Sequence, residues 1–338
     1  MNRTKYIYFK VSFLYILLIS VCSCNSDRKD VDISKSKTAY PDSVLPIYQD
    51  YKLILGDGTN VGHPTNFSDD QYFYTANNND QDWVVYKTPN AGNTHGTSNN
   101  TRTELAQSKK WVAASTNKMT ATCKVMNVSK TGNAQVAASY SVVIGQIHSA
   151  DGHENEPFKL FYKKFPGHSK GSVFWNYEIN TEGDDNSGRW DYSYPIWGYD
   201  MSVVGTSATD FPAEPEDGIA LGEEMSYEVV VDNGIMHLKF SSPGHETKTF
   251  TKNIVKSEYT TKSDIPNQTR NLFGPIGQDG VEKAEAYRGE GLFFKQGCYN
   301  QTNGKDPVVN MVWCAGAETH DGDVQKQYDS GNFAEVWF

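Results

Sequence analysis

The sequence has few cysteines and only one apolar run of any length, and each scarcity excludes a class of protein. Five cysteines among 338 residues are too few for a fold that depends on a framework of disulfides. The longest apolar run, residues 11–21, is too short to span a bilayer comfortably as a helix. Helical periodicity is also nearly absent from the chain, so we expect few helices.

An excess of basic residues is lacking as well. The chain contains 31 Lys and Arg against 41 Asp and Glu, which gives a net charge of −10. An acidic chain is a poor ligand for nucleic acid, so we expect no nucleic-acid partner. A polyanionic substrate would need a local basic cleft that overrides the overall negative charge.

The first 23 residues have the anatomy of a signal peptide. Arg3, Lys5 and Lys10 flank the apolar run, and Val21-Cys22-Ser23-Cys24 follows it. This last sequence resembles a bacterial lipobox, which implies cleavage before Cys24 and lipidation of that residue. An uncleaved anchor helix is the alternative.

Residues 24–44 predict a lipidated cysteine followed by a flexible tether, because Ser, Lys and Asp dominate and apolar residues are almost absent. We therefore expect an exported lipoprotein at the outer membrane of a Gram-negative bacterium, on its surface or its periplasmic face. Its only contact with the membrane would be the lipid anchor.

Three cysteines remain in the mature chain: Cys123, Cys298 and Cys314. At most one disulfide can form among them. Cys298 and Cys314 flank a turn-like Gly304-Lys305-Asp306-Pro307, so a hairpin could bring them opposite each other. Two buried free thiols are the alternative, and both remain open.

Strand patterns dominate residues 45–338, which we expect to form one domain. The predicted strands are Val84–Tyr86, Met119–Val128, Gln135–His148, Phe158–Lys163, Val173–Ile179, Tyr227–Asp232, Leu292–Gln301, Val308–Trp313 and Phe333–Phe338. Asn233-Gly234 predicts a hairpin after Tyr227–Asp232, because Asn-Gly supplies the two positive φ angles that a type I′ turn needs.

Long strands, polar turns and 13% aromatic residues predict an all-β fold. We expect a two-sheet antiparallel β-sandwich of jelly-roll type with a concave substrate cleft. Two polar stretches, Asp151–Pro157 and Glu182–Glu216, are predicted loops that could wall the cleft.

Three segments place polar side chains on one face of a strand, because alternate side chains of a strand share a face. These side chains are Arg102 and Glu104; Gln146 and His148; and Lys295, Tyr299 and Gln301. An ordinary half-buried sheet would explain any one segment. Together, the three segments supply the residue types that a sugar-acid site needs.

In order along the chain, the three segments resemble the signature blocks of the alginate lyases in polysaccharide lyase family 7. Those blocks read approximately Arg-Ser/Thr-Glu-Leu-Arg, Gln-Ile/Val-His and Tyr-Phe-Lys-Ala-Gly-x-Tyr-Asn-Gln. Here Ala106 replaces the second arginine of the first block and Phe293 replaces the opening tyrosine of the third. Any substrate contact of that arginine is therefore lost or supplied elsewhere. The resemblance covers about residue 45 to the end, so 45–338 would be the catalytic domain.

The resemblance implies cleavage of a 1,4-linked uronate polymer by β-elimination, which leaves a 4,5-unsaturated uronate end. Arg102 and Gln146 would engage the carboxylate of the reacting uronate. Tyr299 would be the catalytic acid, and also the base when both proton transfers occur on one face of the sugar. His148 would be the base in the opposite case, or would favour ionisation of Tyr299.

By the same resemblance, Glu104, Lys295 and Gln301 would bind substrate. No metal or cofactor is required, since Arg102 and Gln146 can neutralise the carboxylate. The expected partner is the acidic polysaccharide alginate, and the chain would act as a monomer. The isoleucine in Gln-Ile-His favours guluronate-containing stretches, while endolytic and exolytic action both remain open.

Other interpretations compete with this one. The chain could be a non-catalytic carbohydrate-binding β-sandwich or a lyase for another uronate polysaccharide, whereas a glycoside hydrolase would ordinarily need a close carboxylate pair. His148, His153 and Glu154 have no familiar metal-ligand spacing. The basic stretch around Lys163 is either a solvated edge strand or a polyanion subsite. Trp175, Trp190 and Trp197 could stack on sugars or pack in the core.

Overall fold

The computed structural model of the chain describes residues 33–35, 40–90, 93–96, 100–151, 155–180, 191–261, 282–304 and 323–338. The signal peptide, Cys24, most of the tether, the predicted strand Val308–Trp313 and Cys314 lie outside those residues. Cys123 and Cys298 are buried free thiols. No helix in the described ranges is long and apolar enough to cross a membrane.

Strands make up most of the described chain. They are β1 (Ile33–Lys35), β2 (Tyr51–Ile54), β3 (Asn60–Gly62), β4 (Phe73–Asn78), β5 (Gln81–Pro89), β6 (Asn100–Gln107), β7 (Asn117–Asn127), β8 (Ser141–Ser149), β9 (Phe158–Lys163), β10 (Lys170–Glu178), β11 (Asp191–Trp197), β12 (Ile219–Ala220), β13 (Glu224–Asp232), β14 (Ile235–Ser241), β15 (Lys248–Asn253), β16 (Leu292–Gly304) and β17 (Phe333–Trp337). The helices are two short 3-10 helices, Pro41–Ser43 and Tyr48–Asp50, and α1 (Val324–Ser330).

The strands form two antiparallel sheets. The first has the order β1-β4-β5-β17-β7-β13-β14-β15. The second has the order β11-β10-β9-β8-β16-β6-β2-β3, with β12 paired to β10. The predicted all-β, two-sheet jelly-roll sandwich is therefore confirmed.

One hydrophobic core lies between the sheets. In β13, buried and half-buried residues alternate along the strand, and the buried Tyr227, Val229 and Val231 belong to the core. Burying an apolar side chain such as a valine contributes roughly 1.5–3 kcal/mol. In contrast, β8 is buried at nearly every position. The outer side of the second sheet, called the polar face below, is therefore partly covered.

The predicted hairpin is confirmed, with Asn233 at φ 47° and Gly234 at φ 80°. Asp232 pairs with Ile235 and Tyr227 pairs with Phe240 in the expected register. Both central residues have the positive φ of a type I′ turn.

Two predicted boundaries are wrong. The strand predicted for Gln135–His148 begins only at Ser141, because 133–139 form successive turns and Tyr140 has φ 60°. The predicted loop Glu182–Glu216 contains strand β11, where Tyr194 stacks on Trp175 with the ring centroids 4.3 Å apart. In both places, long-range packing rather than the local polar composition decides the structure.

Candidate active site

The fold places the three polar segments on adjacent strands, with β16 between β6 and β8. Tyr299 lies directly opposite Arg102, and Lys295 lies opposite Gln146. His148 pairs with Phe293. Residues paired in this way share a face of the sheet, so the three segments form one continuous site on the polar face.

Glu104 lies at the centre of this site. Its Oε2 is 3.1 Å from Arg102 Nη1 and 2.6 Å from Lys295 Nζ, and its Oε1 accepts a hydrogen bond from Gln146 Nε2. Burial alone would raise the pKa of Glu104, but Lys295 and Arg102 outweigh burial and hold that pKa below its ordinary value. The ionised carboxylate thus orients the guanidinium of Arg102, the ammonium of Lys295 and the amide of Gln146. We call these four residues the Glu104 cluster.

Tyr299 lies under the guanidinium of this cluster. The Arg102 guanidinium carbon is 3.7 Å from the centroid of the Tyr299 ring, and Lys295 Nζ is 6.0 Å from it. Such contacts are cation–π interactions. Both Arg102 and Tyr299 remain half-buried, so a substrate can reach them.

His148 lies two residues after Gln146 on strand β8. Its Nδ1 is 2.5 Å from the carbonyl oxygen of Ser149, so Nδ1 carries the hydrogen of the neutral ring. Burial, together with Lys295 and Arg102, lowers the pKa of His148 to about 3. The ring is therefore neutral near pH 7, and Nε2 is available as a proton acceptor.

Glu156 contacts His148 and was not anticipated from the sequence. Its Oε1 is 3.3 Å from His148 Nε2. This carboxylate attracts a proton to Nε2, whereas burial and the two cations oppose protonation. Glu156 therefore favours the charged form of the ring that exists after Nε2 has accepted a proton.

A glycine brings β16 and β6 close together within the site. Gly297 has φ +151°, and a Cβ at this position would lie 2.5 Å from the carbonyl oxygen of Thr103. The pairing of β16 with β8 shifts register between Gln296 and Tyr299. This irregularity sets how Lys295 and Tyr299 are spaced along the polar face.

A second charged cluster lies beside the first. Lys159 pairs with Gln146 across strands β9 and β8. Its Nζ contacts Glu178 and is 3.5 Å from Glu156 Oε2 and 3.4 Å from Asp191 Oδ2. We call these four residues the Lys159 cluster. The sequence signal that could have pointed to it is the spacing of Lys159 and Lys163, four residues apart in β9, which puts both lysines on one face of the strand.

Two predicted site residues have amide atoms without a hydrogen-bond partner among the described residues. They are Gln146 Oε1 and Gln301 Nε2, both of which are buried. Gln146 is wholly covered and Gln301 is 5% exposed. Of the predicted residues, Arg102, His148 and Tyr299 are the more accessible.

The structure decides several of the competing interpretations. Strand β9 lies inside the sheet, so the interpretation of Lys163 as part of a solvated edge strand is wrong. Lys163 Nζ is buried and donates to the carbonyl oxygens of Ala137 and Val203, at 2.7 and 3.3 Å. Trp175 and Trp197 pack in the core, while Trp190 lies outside the described ranges. Within those ranges, no group of three or more His, Cys, Asp or Glu could hold a metal ion, and His153 and Glu154 are not among them.

Comparisons with known proteins agree with one another. A family model described as alginate lyase matches residues 50–338. A curated alginate lyase from Klebsiella pneumoniae is 32% identical over 203 residues, which are 59% of this chain and 54% of that protein. The match therefore spans about half the length of the curated relative.

Solved structures resemble the fold as well. An exolytic alginate lyase of polysaccharide lyase family 7 from Zobellia galactanivorans is 60% identical, with a TM-score of 0.86 over 89% of this chain and 96% of that chain. An alginate lyase structure from Klebsiella pneumoniae has a TM-score of 0.60 at 19% identity, over 88% of this chain and 96% of that chain. The second likeness supports the fold alone.

Proposed function

Because the chain belongs to the alginate lyase family, we propose that it cleaves alginate by β-elimination and leaves a 4,5-unsaturated uronate end. The observation that carries the proposal is the Glu104 cluster beside Tyr299 and His148 on one face of three adjacent strands. It combines groups that neutralise a carboxylate with groups that transfer protons.

Neutralisation is the first requirement, because the proton at C5 is only weakly acidic while the adjacent carboxylate is negative. The Glu104 cluster holds two cations against one carboxylate and therefore has positive charge left for a substrate. We assign Arg102, with Gln146 as an amide donor, to the uronate carboxylate, and Lys295 to substrate binding. A donor placed where charge develops is typically worth about 10²- to 10³-fold in rate.

Glu104 was predicted to bind substrate. We assign it mainly to orienting its three partners, because both its oxygens already accept their hydrogen bonds. Gln301 remains a predicted substrate ligand, with its unpartnered Nε2 in the same strand as Tyr299.

Proton transfer is the second requirement. A base takes the C5 proton, the electron pair forms the C4=C5 bond, the C4–O bond breaks, and the leaving oxygen receives a proton. We assign the final donation to Tyr299. The base is Tyr299 when both transfers occur on one face of the sugar, and His148 Nε2 when they occur on opposite faces. Each transfer contributes on the order of 10²- to 10⁴-fold in rate.

The mode of cleavage, the preferred substrate blocks and the membrane anchor are proposed from the similarity to known proteins and from the sequence. Exolytic action is the mode of the relative that is 60% identical, and we propose the same mode here. A preference for guluronate-containing stretches rests on the Gln-Ile-His segment. We also propose a monomer tethered to the outer membrane through lipid on Cys24, which a mass measurement of the mature amino terminus, beside a Cys24→Ser variant, would test.

Ultraviolet absorbance of the conjugated C4=C5 bond tests the reaction. The purified chain is incubated with alginate, and separately with guluronate and mannuronate blocks, with and without a chelator, while product lengths are followed over time. We expect absorbance to rise fastest on guluronate blocks, to survive the chelator, and to come from short products at the earliest times. No rise on any of the three substrates would contradict the proposal and leave a carbohydrate-binding protein or a lyase for another uronate polymer.

A further inference from the structure

A single row of residues crosses the polar face from one edge region to the other. The pairings join Lys52 of β2, Ala106 of β6, Lys295 of β16, Gln146 of β8, Lys159 of β9, Asn176 of β10 and Ser193 of β11. Since directly paired residues share a face, the row runs perpendicular to the strands and passes through the catalytic centre. A polymer lying along it would meet each strand in turn.

The end of the row beyond Lys295 is cationic. Lys52 is exposed and is separated from Lys295 by one strand, on which the small Ala106 occupies the row. Neighbouring strands are about 4.8 Å apart, so the two lysine backbones are roughly 10 Å apart. The small Ala106 side chain is the only one of the row between the two lysines.

A third lysine reaches the same region from the segment that follows β6. Lys110 Nζ lies 3.1 Å from the centroid of the Phe293 ring, and Phe293 stacks on His148. Burial lowers the pKa of Lys110, and Lys295 and Lys52 lower it further. Lys110 is therefore within electrostatic reach of both other lysines.

Lys52 and Lys110 have no ion-pair partner among the residues that the structure describes. The acid that acts on Lys110 is Asp151, whose Oδ2 already accepts a hydrogen bond from the backbone nitrogen of Gly291. Both ammonium groups are therefore available to an anionic ligand.

The opposite end of the row contains buried carboxylates. The Lys159 cluster contains three carboxylates and one ammonium, and Glu178 and Asp191 are buried within it. The protein as a whole is acidic, with a net charge of −10. The exposed Lys52 and Lys110 thus attract a polyanion to their side of the catalytic centre, whereas the described contacts of the Lys159 cluster offer it no exposed ammonium.

We infer that Lys52 and Lys110 form a second carboxylate-binding subsite, which holds a uronate of the polymer next to the one that reacts. The polymer accordingly lies across β6 and β2 rather than across β9 and β10. This inference rests on the proposed function and adds the side of the catalytic centre from which the chain is held.

Steady-state kinetics on alginate oligomers of defined length test the subsite. The variants are Lys52→Ala, Lys110→Ala and the double variant, measured at low and high salt. The matched control is Lys239→Ala, which removes an exposed lysine from β14 of the other sheet. Ala106→Arg in the Lys52→Ala background returns a cation to the same row.

We expect the double variant to raise KM roughly 10-fold at low salt and less at high salt, with kcat within about twofold of the wild type. The shortest cleavable oligomer should be affected less than longer ones. In the Lys52→Ala background, Ala106→Arg should recover most of the affinity that Lys52→Ala loses. Lys239→Ala should behave as the wild type does.

The outcomes separate this inference from the reaction itself. A wild-type protein that releases no unsaturated product overturns the proposed function and the subsite together. A wild type that is active, beside a double variant whose KM matches that of Lys239→Ala, overturns the subsite alone. An equal rise of KM in Lys239→Ala also overturns it, because only the overall charge would then be acting.

Discussion

The Glu104 cluster and the Lys159 cluster lie on the same face of one sheet, and the sign of the central charge is opposite in the two. In the first, a buried carboxylate is surrounded by a guanidinium, an ammonium and an amide. In the second, a lysine is surrounded by three carboxylates. Gln146 is the member of the first cluster next to the second, since it pairs with Lys295 on one side and Lys159 on the other. Pairing lets both clusters be buried, and the exposed lysines beside the first cluster favour binding of a polyanion on that side.

The two clusters are buried to a similar extent. Arg102 and Lys159 are half-buried, while Glu104, Glu178 and Asp191 are buried. The clusters differ in their neighbours: the half-buried Tyr299 lies against the Glu104 cluster, whereas the Lys159 cluster ties β9, β10 and β11 together. Glu156 joins the two regions because it contacts both His148 and Lys159.

The largest effect is expected from Glu104→Gln, which removes the central charge of the first cluster. Arg102 and Lys295 would lose their shared counter-ion, so kcat/KM should fall by about 10²- to 10³-fold and the free energy of unfolding by about 3 kcal/mol. Kinetics and denaturant unfolding measure both. Glu335→Gln, whose carboxylate is 3.6 Å from Lys87 on the other sheet, is the control. Full activity of Glu104→Gln would show that the cluster does not organise the site.

Lys159→Met tests the second cluster and should affect stability more than chemistry. Three carboxylates would lose their only ammonium within the cluster, at a cost of about 3–5 kcal/mol in the free energy of unfolding near pH 7.

Lys118→Met is the control for that variant, because Lys118 pairs with Glu228 at 2.5 Å on the exposed face of the other sheet. Exposed pairs contribute about 0–1 kcal/mol. An equal loss in the two lysine variants would remove the distinction between a buried cluster and a surface pair.

Glu156→Gln tests the carboxylate that contacts both His148 and the Lys159 ammonium. Without the carboxylate, the protonated form of His148 is less stable, so a rate that depends on His148 as the base should fall about tenfold in kcat with little change in KM. Since the pKa of His148 is already lowered to about 3, the wild-type rate should not show a limb near pH 6.5 from this residue. An unchanged kcat in Glu156→Gln would favour Tyr299 as the base.

Over a single pH unit, the smallest effect on stability is expected for Lys163, a lysine two residues beyond Phe161 on the same strand and without the carboxylate shell of Lys159. Burial lowers its pKa to about 7 from the ordinary 10.5. Between those pH values the unfolded chain keeps this proton and the folded chain has released it, so stability rises with pH. The difference in unfolding free energy between wild type and Lys163→Met should grow by at most about 1.4 kcal/mol per pH unit. Parallel stability curves would contradict this assignment.

Local patterns predicted part of this molecule. Asn233-Gly234 identified a hairpin because the turn geometry is set by two adjacent residues. The alternation of Arg102 with Glu104 and of Gln146 with His148 identified the side chains that share a face, since strand pleating is also local. Those patterns predicted which side chains share a face, while the resemblance to the alginate lyase blocks singled them out as candidate site residues.

What the sequence did not reveal depends on register between distant strands. Lys52 meets the row of Lys295 only because β2 pairs with β6, and Glu178 and Asp191 reach Lys159 from strands β10 and β11. The late start of β8 also depends on a distant strand, because the backbone nitrogen of Tyr140 donates a hydrogen bond to the hydroxyl oxygen of Thr302 in β16. No spacing within a single segment encodes such neighbours.

The most direct test of the account is the initial rate of C4=C5 formation on alginate by Tyr299→Phe, compared with wild type and Tyr328→Phe. Tyr328 is a control because its hydroxyl donates to the carbonyl oxygen of Gln71, away from the polar face. We expect Tyr299→Phe to lose about 10²- to 10⁴-fold in rate while keeping its fold and its affinity for alginate, and Tyr328→Phe to remain active. A Tyr299→Phe variant as active as wild type would contradict elimination through this site.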